Sequence, residues 1–370
     1  MSTYPSDITE TRPEPRHHLV LQWHITDRCN RRCSHCYQES YEGEELPFRD
    51  LLTILKQFRQ LAELCDSRSK TPKARAHINV TGGEPFIRTD FPQLLEAFHS
   101  NREWLSFGIL TNGSFIDLAT AHRLRELGTG YVQVSIEGTR ERNDSIRGPG
   151  AWDQTVTALK NLARERIRTA ISFTAQRSNF REFDEVARLG REVGATRVWS
   201  DRIIPSGNGV AVAEEVLSPE ETREFLEAMH KAHAEGMRRF CRTEVFMRRA
   251  LQFLFAGGTP YRCAAGDTLV SVMPNGDLYP CRRMPIRVGN LMEKSLAELY
   301  AKSELLRALR DHSRVNQGCE QCSFSRSCGG GLRCLSYAMT GDPFRADPGC
   351  WRARGQELRV GSKSPAEQNL

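Results

Sequence analysis

The sequence predicts an α/β protein: a partial (β/α)6 barrel of the TIM type, followed by a cysteine-rich carboxyl-terminal domain. Two observations lead to this fold class. From residue 19 onward, short β-rich runs alternate with longer helical stretches, which is typical of parallel strands joined by helices. The twelve cysteines are also unevenly placed, with three at 29–36, seven at 263–350 and only two between these groups.

Composition and charge narrow the class of protein further. The 370 residues fit two domains, with 39% apolar and 26% charged side chains and a net charge of +6. The charges are interspersed, the apolar runs are short, and the amino terminus lacks an apolar signal region. We therefore expect a cytoplasmic protein with no membrane span and no nucleic-acid partner. In a reducing compartment, closely spaced cysteines indicate metal or cluster binding rather than disulfides.

The predicted strands begin directly after a polar amino-terminal stretch. Between the first two strands, apolar residues from Phe48 to Cys65 recur at helical spacing behind Pro47, which predicts a helix. Ligands of such barrels bind at the carboxyl ends of the strands, so we expect the loops there to carry the chemistry. The predicted strands span residues 20–25, 77–80, 107–110, 131–136, 169–174 and 197–200.

Helical patterns continue beyond the barrel. Residues 219–255 predict two helices, and Gly257 with Gly258 breaks the pattern. The next region consists of turns and cysteines around one predicted helix at 295–310, so metal centres are needed to stabilise it. We expect polar, flexible ends. The predicted segments are a tail over 1–18, the barrel over 19–215, a helical bridge over 216–260, the cysteine-rich domain over 261–355 and a tail over 356–370.

A cysteine loop follows the first predicted strand. Cys29, Cys33 and Cys36 lie within eight residues, so three thiolates can hold three corners of a [4Fe–4S] cluster and leave the fourth iron without a protein ligand. The same spacing allows a zinc site in which His24 or His35 is the fourth ligand. The sequence therefore predicts a metal centre at this strand end.

The run CNRRCSHCY, at 29–37, resembles the signature loop of the radical S-adenosylmethionine (SAM) superfamily, in which SAM chelates the open iron through its amino and carboxylate groups. The run TGGEP, at 81–85, resembles the GGEP segment of the same family. Arg147 resembles an arginine of this family that pairs with the SAM carboxylate. The alternative is that Arg147 is an exposed surface residue. The resemblance assigns SAM contacts to Gly82, Gly83 and Glu84 at the amino group, Asn112 and Ser135 at the ribose and carboxylate, Arg147 at the carboxylate and His35 near the adenine.

The resemblance also implies a reaction. In this family an electron from the reduced cluster enters bound SAM, a carbon–sulfur bond breaks, and the resulting 5′-deoxyadenosyl radical takes a hydrogen atom from the substrate. The protein binds and orients the reactants and excludes side reactions. A flavodoxin or ferredoxin-type protein is the implied electron donor.

The carboxyl-terminal cysteines resemble a SPASM domain, the auxiliary-cluster module named for subtilosin, PQQ, anaerobic sulfatase and mycofactocin maturation. The tail around 341–350 is similar to that of the PQQ, mycofactocin and haem-forming members. One position departs, because Leu332 stands where the family has a cysteine and Cys334 follows two residues later. The first auxiliary centre then has at most three cysteine ligands, with zinc as the alternative metal at either site. The implied sets are Cys263, Cys281 and Cys334 for the first auxiliary cluster, and Cys319, Cys322, Cys328 and Cys350 for the second.

Two further cysteines and one arginine need an interpretation. Cys65 falls on the apolar face of its helix and is predicted to be a small core residue. Cys241 is either structural or a hydrogen-atom donor to a substrate radical. Arg282 directly follows Cys281, where sulfatase-maturing relatives have an acid that acts as a base, so the resemblance argues against that reaction.

The resemblance implies radical modification of a ribosomally made peptide. A leader-binding domain is not evident in the short amino terminus, so we expect a separate peptide-recognition protein. One alternative is a radical SAM enzyme that acts on a non-peptide, such as a tetrapyrrole in haem-type pathways. Another is a non-enzymatic zinc or iron–sulfur binding protein. The ordered motifs around one cysteine loop favour an enzyme.

Overall fold

A computed structural model describes residues 19–38, 40–67 and 76–353 of the chain. These residues form one ten-stranded sheet with helices between the strands. The strands are β1 (Val20–His24), β2 (Ala76–Thr81), β3 (Leu105–Thr111), β4 (Tyr131–Ser135), β5 (Thr169–Ala175), β6 (Arg197–Arg202), β7 (Glu244–Val245), β8 (Leu269–Val272), β9 (Asp277–Tyr279) and β10 (Gly289–Asn290).

The strand order confirms the predicted partial barrel. Strands β1 to β6 lie side by side in chain order and are all parallel. The short β7 continues the sheet beside β6, and β8 pairs in parallel with the other side of β1. The cysteine-rich region therefore extends the barrel sheet through β8, and β9 and β10 continue it in antiparallel order. Each of the six predicted strands lies within two residues of its observed bounds.

Helices alternate with the barrel strands and pack against them. The first begins at Phe48, directly after Pro47, and buries Leu51, Ile54 and Phe58 at helical spacing, as predicted. The helices are α1 (Phe48–Ser67), α2 (Phe91–Ser100), α3 (Leu118–Glu126), α4 (Arg140–Arg147), α5 (Ala151–Arg164), α6 (Phe183–Glu192), α7 (Pro219–Arg238), α8 (Phe253–Ala256), α9 (Leu296–Lys302), α10 (Glu304–Arg310), α11 (Ser325–Cys328) and α12 (Arg333–Thr340).

Side chains alternate along the strands between the apolar core and the barrel interior. On β1, Leu21 and Trp23 are fully buried in the core, whereas Val20 and Gln22 line an internal cavity. Burial of each large apolar side chain stabilises the fold by about 1.5–3 kcal/mol. The opposite strand face is left free to carry polar side chains such as Gln133 of β4.

Two helix predictions beyond the barrel are correct only in part. Residues 219–255 form α7, which starts with a capping box between Ser218 and Glu221, and then β7 and the four-residue α8. The chain turns at Phe240, whose φ is 51°, and its next residues pair with β6 instead of continuing a helix. The predicted helix at 295–310 is two helices, because the Ser303 hydroxyl accepts a hydrogen bond from Leu306 N and starts α10.

A buried ion pair joins the barrel to the cysteine-rich region. At the end of β6, Arg202 donates two hydrogen bonds to Asp347, at 2.8 and 2.5 Å, and both side chains are at most 4% exposed. The Asp347 carboxylate also accepts the backbone N–H groups of Leu332 and Gly349. One bidentate contact therefore holds the last barrel strand against loops near Cys334 and Cys350.

No helix in the described ranges is long and apolar enough to span a bilayer. The predicted flexible tails, 1–18 and 356–370, lie outside the described residues.

Candidate functional site

A cavity of about 1270 Å³ occupies the barrel interior and reaches the cysteine-rich region. Its wall includes all three cysteines of the loop after β1. It also includes Cys263, Cys281 and Cys334, which come from distant parts of the chain. The structure therefore brings two of the predicted cysteine sets to the wall of one internal space.

The loop after β1 packs tightly on the double glycine after β2. Gly83 N donates to Thr26 O at 2.8 Å, and Glu84 N donates to Arg28 O at 2.9 Å. A Cβ added at Gly82 would lie 2.5 Å from Thr26 O, and one at Gly83 would lie 2.4 Å from Arg28 O. Both positions therefore require glycine because two backbone segments meet there.

Hydrogen-bond donors approach the sulfur atoms of the first loop. Arg31 N lies 3.4 Å from Cys29 Sγ, Asn112 Nδ2 lies 3.9 Å from the same sulfur, and Arg147 Nη1 lies 3.9 Å from Cys33 Sγ. Burial raises the pKa of the Cys33 thiol, and the positive charge of Arg147 opposes that rise. Three cavity-facing thiols with N–H donors and a nearby cation fit the thiolate ligation of an iron–sulfur cluster.

The two histidines considered as zinc ligands have other partners. His24 contacts Arg282, and His35 Nε2 lies 3.3 Å from Glu137. Among the described residues, no group of three or more His, Cys, Asp or Glu side chains is arranged to hold a single metal ion.

Glu84 lies behind the cavity wall. Its fully buried carboxylate accepts hydrogen bonds from Thr111 Oγ1 at 2.8 Å and from Asn112 N at 2.8 Å. Burial raises its pKa to about 7, although these hydrogen bonds oppose the rise. The carboxylate therefore fixes the end of β3, while Gly82, Gly83 and Asn112 line the cavity itself.

Arg147 forms the centre of a buried charge network. Its Nη2 donates to Glu137 Oε1 at 2.6 Å, and Glu137 Oε2 accepts the backbone N–H of Thr174 at 2.8 Å. Burial alone would raise the pKa of Glu137, but Arg147 and His35 outweigh it and lower the pKa to about 2. The side chain of Arg147 is 10% exposed, so the alternative of a surface arginine is wrong. Together with Ser135 and His35, it lines the cavity.

The thiols of Cys263, Cys281 and Cys334 are neighbours. Burial raises the pKa of Cys334 to about 12, Arg283 opposes the rise, and the other two thiols add to it. Leu332 is buried and also lines the cavity. Cys334 lies on the first turn of α12, beside the other two thiols. It is therefore in a position to replace the cysteine that is missing at 332.

The other four cysteines of the carboxyl-terminal region form a separate group. They line a small, mainly apolar cleft with Phe253 and Phe324. Burial raises the pKa of the Cys319 thiol to about 12, and its three thiol neighbours add to the rise. The group consists of Cys319, Cys322, Cys328 and Cys350.

Comparison with known proteins identifies the family. The Radical SAM superfamily model matches residues 23–190, and the SPASM model, described as an iron–sulfur cluster-binding domain, matches residues 263–323. Mycofactocin maturase MftC of Mycolicibacterium smegmatis is 30% identical over 343 residues, which cover 90% of this chain and 82% of that relative. The chain belongs to the radical SAM superfamily.

Two other proteins are similar to the chain, one in sequence and one in fold. Fe-coproporphyrin III synthase of Methanosarcina barkeri is 27% identical over 366 residues, which cover 90% of this chain and 87% of the relative. The crystal structure of Streptococcus suis SuiB bound to S-adenosylmethionine has 18% identity and a TM-score of 0.69 over 90% of this chain and 77% of SuiB. The predicted radical SAM and SPASM assignment is confirmed. The protein is an enzyme, so the non-enzymatic alternative is wrong.

Sequence reasoning missed a charged cluster in the cavity of this radical SAM enzyme. Arg249 and Arg283 both donate to Oδ2 of Asp201, at the end of β6. Burial would raise the pKa of Asp201, but the two arginines lower it to about 2. The three residues are 34 or more positions apart in the chain, so no local pattern could have joined them.

Arg282 is also part of the cavity wall. Its side chain contacts the ring of His24, and its guanidinium carbon lies 3.2 Å from the ring centre of Tyr37. Burial lowers its pKa to about 9, which still leaves it charged at neutral pH. The arginine after Cys281 thus faces the space between the two cysteine sets.

Cys241, the candidate hydrogen-atom donor, is outside the cavity wall of the radical SAM enzyme. It is half-buried and follows the end of α7. Cys65, on α1, packs against the apolar core as a partly buried side chain.

Proposed function

We propose that this radical SAM/SPASM enzyme modifies a ribosomally made peptide. The observation that supports a peptide is the 30% identity to mycofactocin maturase MftC, which extends over most of both chains. A cavity of about 1270 Å³ offers room for a peptide segment beside SAM. In this proposal a flavodoxin or ferredoxin-type protein donates electrons, and a separate protein recognises the peptide.

The cavity residues supply the binding site for the cofactors. When bound, the cluster and SAM would together supply the reducing electron and the hydrogen-atom abstraction from the substrate. Glu84 fixes Asn112 through its backbone, and Glu137 holds Arg147 in place. We assign Cys29, Cys33 and Cys36 to the [4Fe–4S] cluster, and Gly82, Gly83, Asn112, Ser135, Arg147 and His35 to SAM contacts, with Glu84 as a positioning residue.

The two other cysteine groups are proposed to hold auxiliary iron–sulfur clusters. The first would have three cysteine ligands, Cys263, Cys281 and Cys334, which border the cavity. The second would have four ligands in its own cleft. In this proposal the auxiliary cluster on the cavity wall contacts substrate, and the second exchanges electrons.

A second candidate substrate is a tetrapyrrole. Eight arginines and one carboxylate are among the described residues that line the cavity, which suits a ligand with several acidic groups. The 27% identity to Fe-coproporphyrin III synthase supports the same candidate.

Anaerobic reconstitution tests the proposal. The wild-type enzyme should bind roughly 8 to 12 iron atoms if three clusters form. With SAM and a reductant, it should produce 5′-deoxyadenosine and change the mass of a peptide encoded by a small open reading frame beside its gene. Tetrapyrroles with several carboxylate side chains are the parallel substrates for the second candidate. Replacement of Cys29, Cys33 and Cys36 by alanine is the negative control.

Stoichiometric zinc with little iron in anaerobically prepared protein would contradict the proposed cofactor. A mass change in one of the tetrapyrroles, with none in the peptides, would select the second candidate.

A further inference from the structure

Three arginines lie on the cavity wall between the two cysteine sets. Arg282 and Arg283 directly follow Cys281, and Arg249 comes from the chain before α8. Asp201 is the single carboxylate-bearing residue among the described residues that line the cavity. This part of the wall therefore carries three guanidinium groups and one carboxylate.

Arg249 and Arg283 share that carboxylate. Both donate to the same oxygen, Asp201 Oδ2, with Arg283 Nη2 at 2.8 Å. The guanidinium of Arg249 also lies over the rings of Trp199 and Tyr261, with distances of 5.2 and 4.9 Å to the ring centres. One carboxylate cannot neutralise two positive charges, so Asp201 leaves one of them unmatched, and the neighbouring thiols of Cys334 and Cys281 also interact with Arg283.

Within the described part of the chain, no carboxylate forms a direct ion pair with Arg282, although the thiol of Cys36 and the carboxylate of Asp27 are close enough to interact with its charge. Its side chain is 6% exposed, and Nη1 contacts only the ring of His24 and, at 3.5 Å, the carbonyl of Gly82. Its Nε and Nη2 donate to no described residue. A buried cation is unfavourable without a counter-charge, so this guanidinium is suited to bind an anion from the cavity.

Three other arginines of the cavity have their charges matched from behind the wall. Arg147 pairs with Glu137, Arg202 with Asp347, and Arg197 with Glu244. Arg31 donates instead to Gln154 and to the carbonyl of Arg147. Between the two cysteine sets, the positive charge of the wall therefore comes from Arg249, Arg282 and Arg283, and a planar guanidinium binds a carboxylate through two parallel hydrogen bonds.

We propose that Arg249, Arg282 and Arg283 bind carboxylate groups of the substrate and select a substrate with at least two of them. This inference rests on the proposed function, since it concerns the same cavity. An acidic peptide and a tetrapyrrole with acidic side chains share the required chemistry. Arg282 is the specificity-determining residue nearest the first cysteine loop.

Binding of paired probes to the reconstituted holoenzyme with SAM tests the inference. The first pair is coproporphyrin III and its tetramethyl ester, measured by fluorescence. The second is a pool of synthetic 20-residue peptides rich in Asp and Glu, and a matched pool with Asn and Gln instead, measured by equilibrium dialysis. At least one acidic probe should bind about ten-fold or more tightly than its neutral partner.

The variants locate the effect. Arg282→Gln and Arg283→Gln should each weaken binding of the acidic probe about ten-fold and leave the neutral probe unchanged. Arg282→Lys should recover part of the affinity, because it keeps the charge but loses the planar fork. Arg188→Gln is the matched control, since this exposed arginine of α6 pairs with Glu185 and Glu192 on the surface.

Several outcomes decide the inference. Discrimination confined to the porphyrin pair, or to the peptide pair, supports it and assigns the carboxylates to that source. Equal binding of acidic and neutral probes by the wild-type enzyme overturns it, as does an equal loss for both probes in the arginine variants. Probe binding needs no turnover, so equal binding of acidic and neutral probes would leave the proposed function standing. Absence of SAM cleavage would reject the proposed function without deciding the binding result.

Discussion

Glu84 and Glu137 are both fully buried carboxylates at strand ends, yet their pKa values shift in opposite directions. Burial favours the neutral form of each. Glu137 pairs with Arg147, which reverses the effect, whereas Glu84 accepts only uncharged donors from Thr111, Asn112 and Phe86. The ion pair therefore keeps one acid charged while the other titrates near neutral pH.

The raised pKa of Glu84 predicts a pH-dependent stability. The folded protein holds this proton up to about pH 7, whereas the unfolded chain releases it near 4.5. The stabilisation is fully present below about pH 4.5 and is lost as the pH rises through 7, with a magnitude on the order of 3 kcal/mol. Wild type should therefore lose melting temperature relative to Glu84→Gln between pH 5 and 8. Glu224→Gln, at an exposed position, serves as the control. If the difference in melting temperature between wild type and Glu84→Gln were the same at pH 5 and pH 8, the prediction would be contradicted.

Residue substitutions also test the SAM site. Arg147→Ala should weaken SAM binding by about ten-fold, for loss of one charged hydrogen bond, and Glu84→Gln should weaken it indirectly, because the carboxylate that fixes Asn112 is lost, with iron content near wild type in both. Arg147→Lys keeps a partner for the buried Glu137 and separates lost SAM contact from lost stability. Isothermal titration with SAM measures the effect. Unchanged affinity in both Glu84→Gln and Arg147→Ala would show that the assignment of these residues is wrong.

At the scale of elements, local patterns predict the barrel better than the cysteine-rich region. The strands β1 to β6 have uninterrupted β-rich runs with apolar residues for the core, so their bounds follow from the sequence. The break between α9 and α10 depends on one side-chain hydrogen bond of Ser303, which helical periodicity does not reveal. Asp201, Arg249 and Arg283 meet only after the sheet, the bridge and the last region have packed, so no sequence spacing indicates their contact.

The pair between Arg202 of β6 and Asp347 predicts coupling between elements. Arg202→Met leaves a buried carboxylate without its counter-charge and should cost about 3–5 kcal/mol of unfolding free energy. It should also lower iron content, because Asp347 holds the loops at Leu332 and Gly349. Arg177→Met breaks a half-exposed pair with Glu221 and should cost less than about 1 kcal/mol.

Chemical denaturation and iron analysis of both variants measure these effects. Equal destabilisation by Arg202→Met and Arg177→Met would mean that burial does not strengthen the first pair.

At the scale of the whole molecule, strand pairing explains why two distant cysteine sets share a cavity. Strand β8 adds to the free side of β1, and the first cysteine loop leaves the end of that same β1. The chain from β8 through β9 then returns to Cys281 at the cavity wall. Each set is readable in the sequence as a motif, but their placement around one space follows only from this pairing.

The shared cavity gives the last prediction, which concerns Cys334. If Cys334 replaces the cysteine missing at 332, Cys334→Ala and Cys263→Ala should change the same auxiliary-cluster spectrum and lose similar amounts of iron, because both thiols would bind one cluster. Product formation should fall in both, while 5′-deoxyadenosine formation without substrate should persist, since the first loop supports it. Cys241→Ala, outside the cavity wall, is the matched control for iron content. A Cys334→Ala spectrum like that of wild type, with intact product formation, would show that another ligand completes this site.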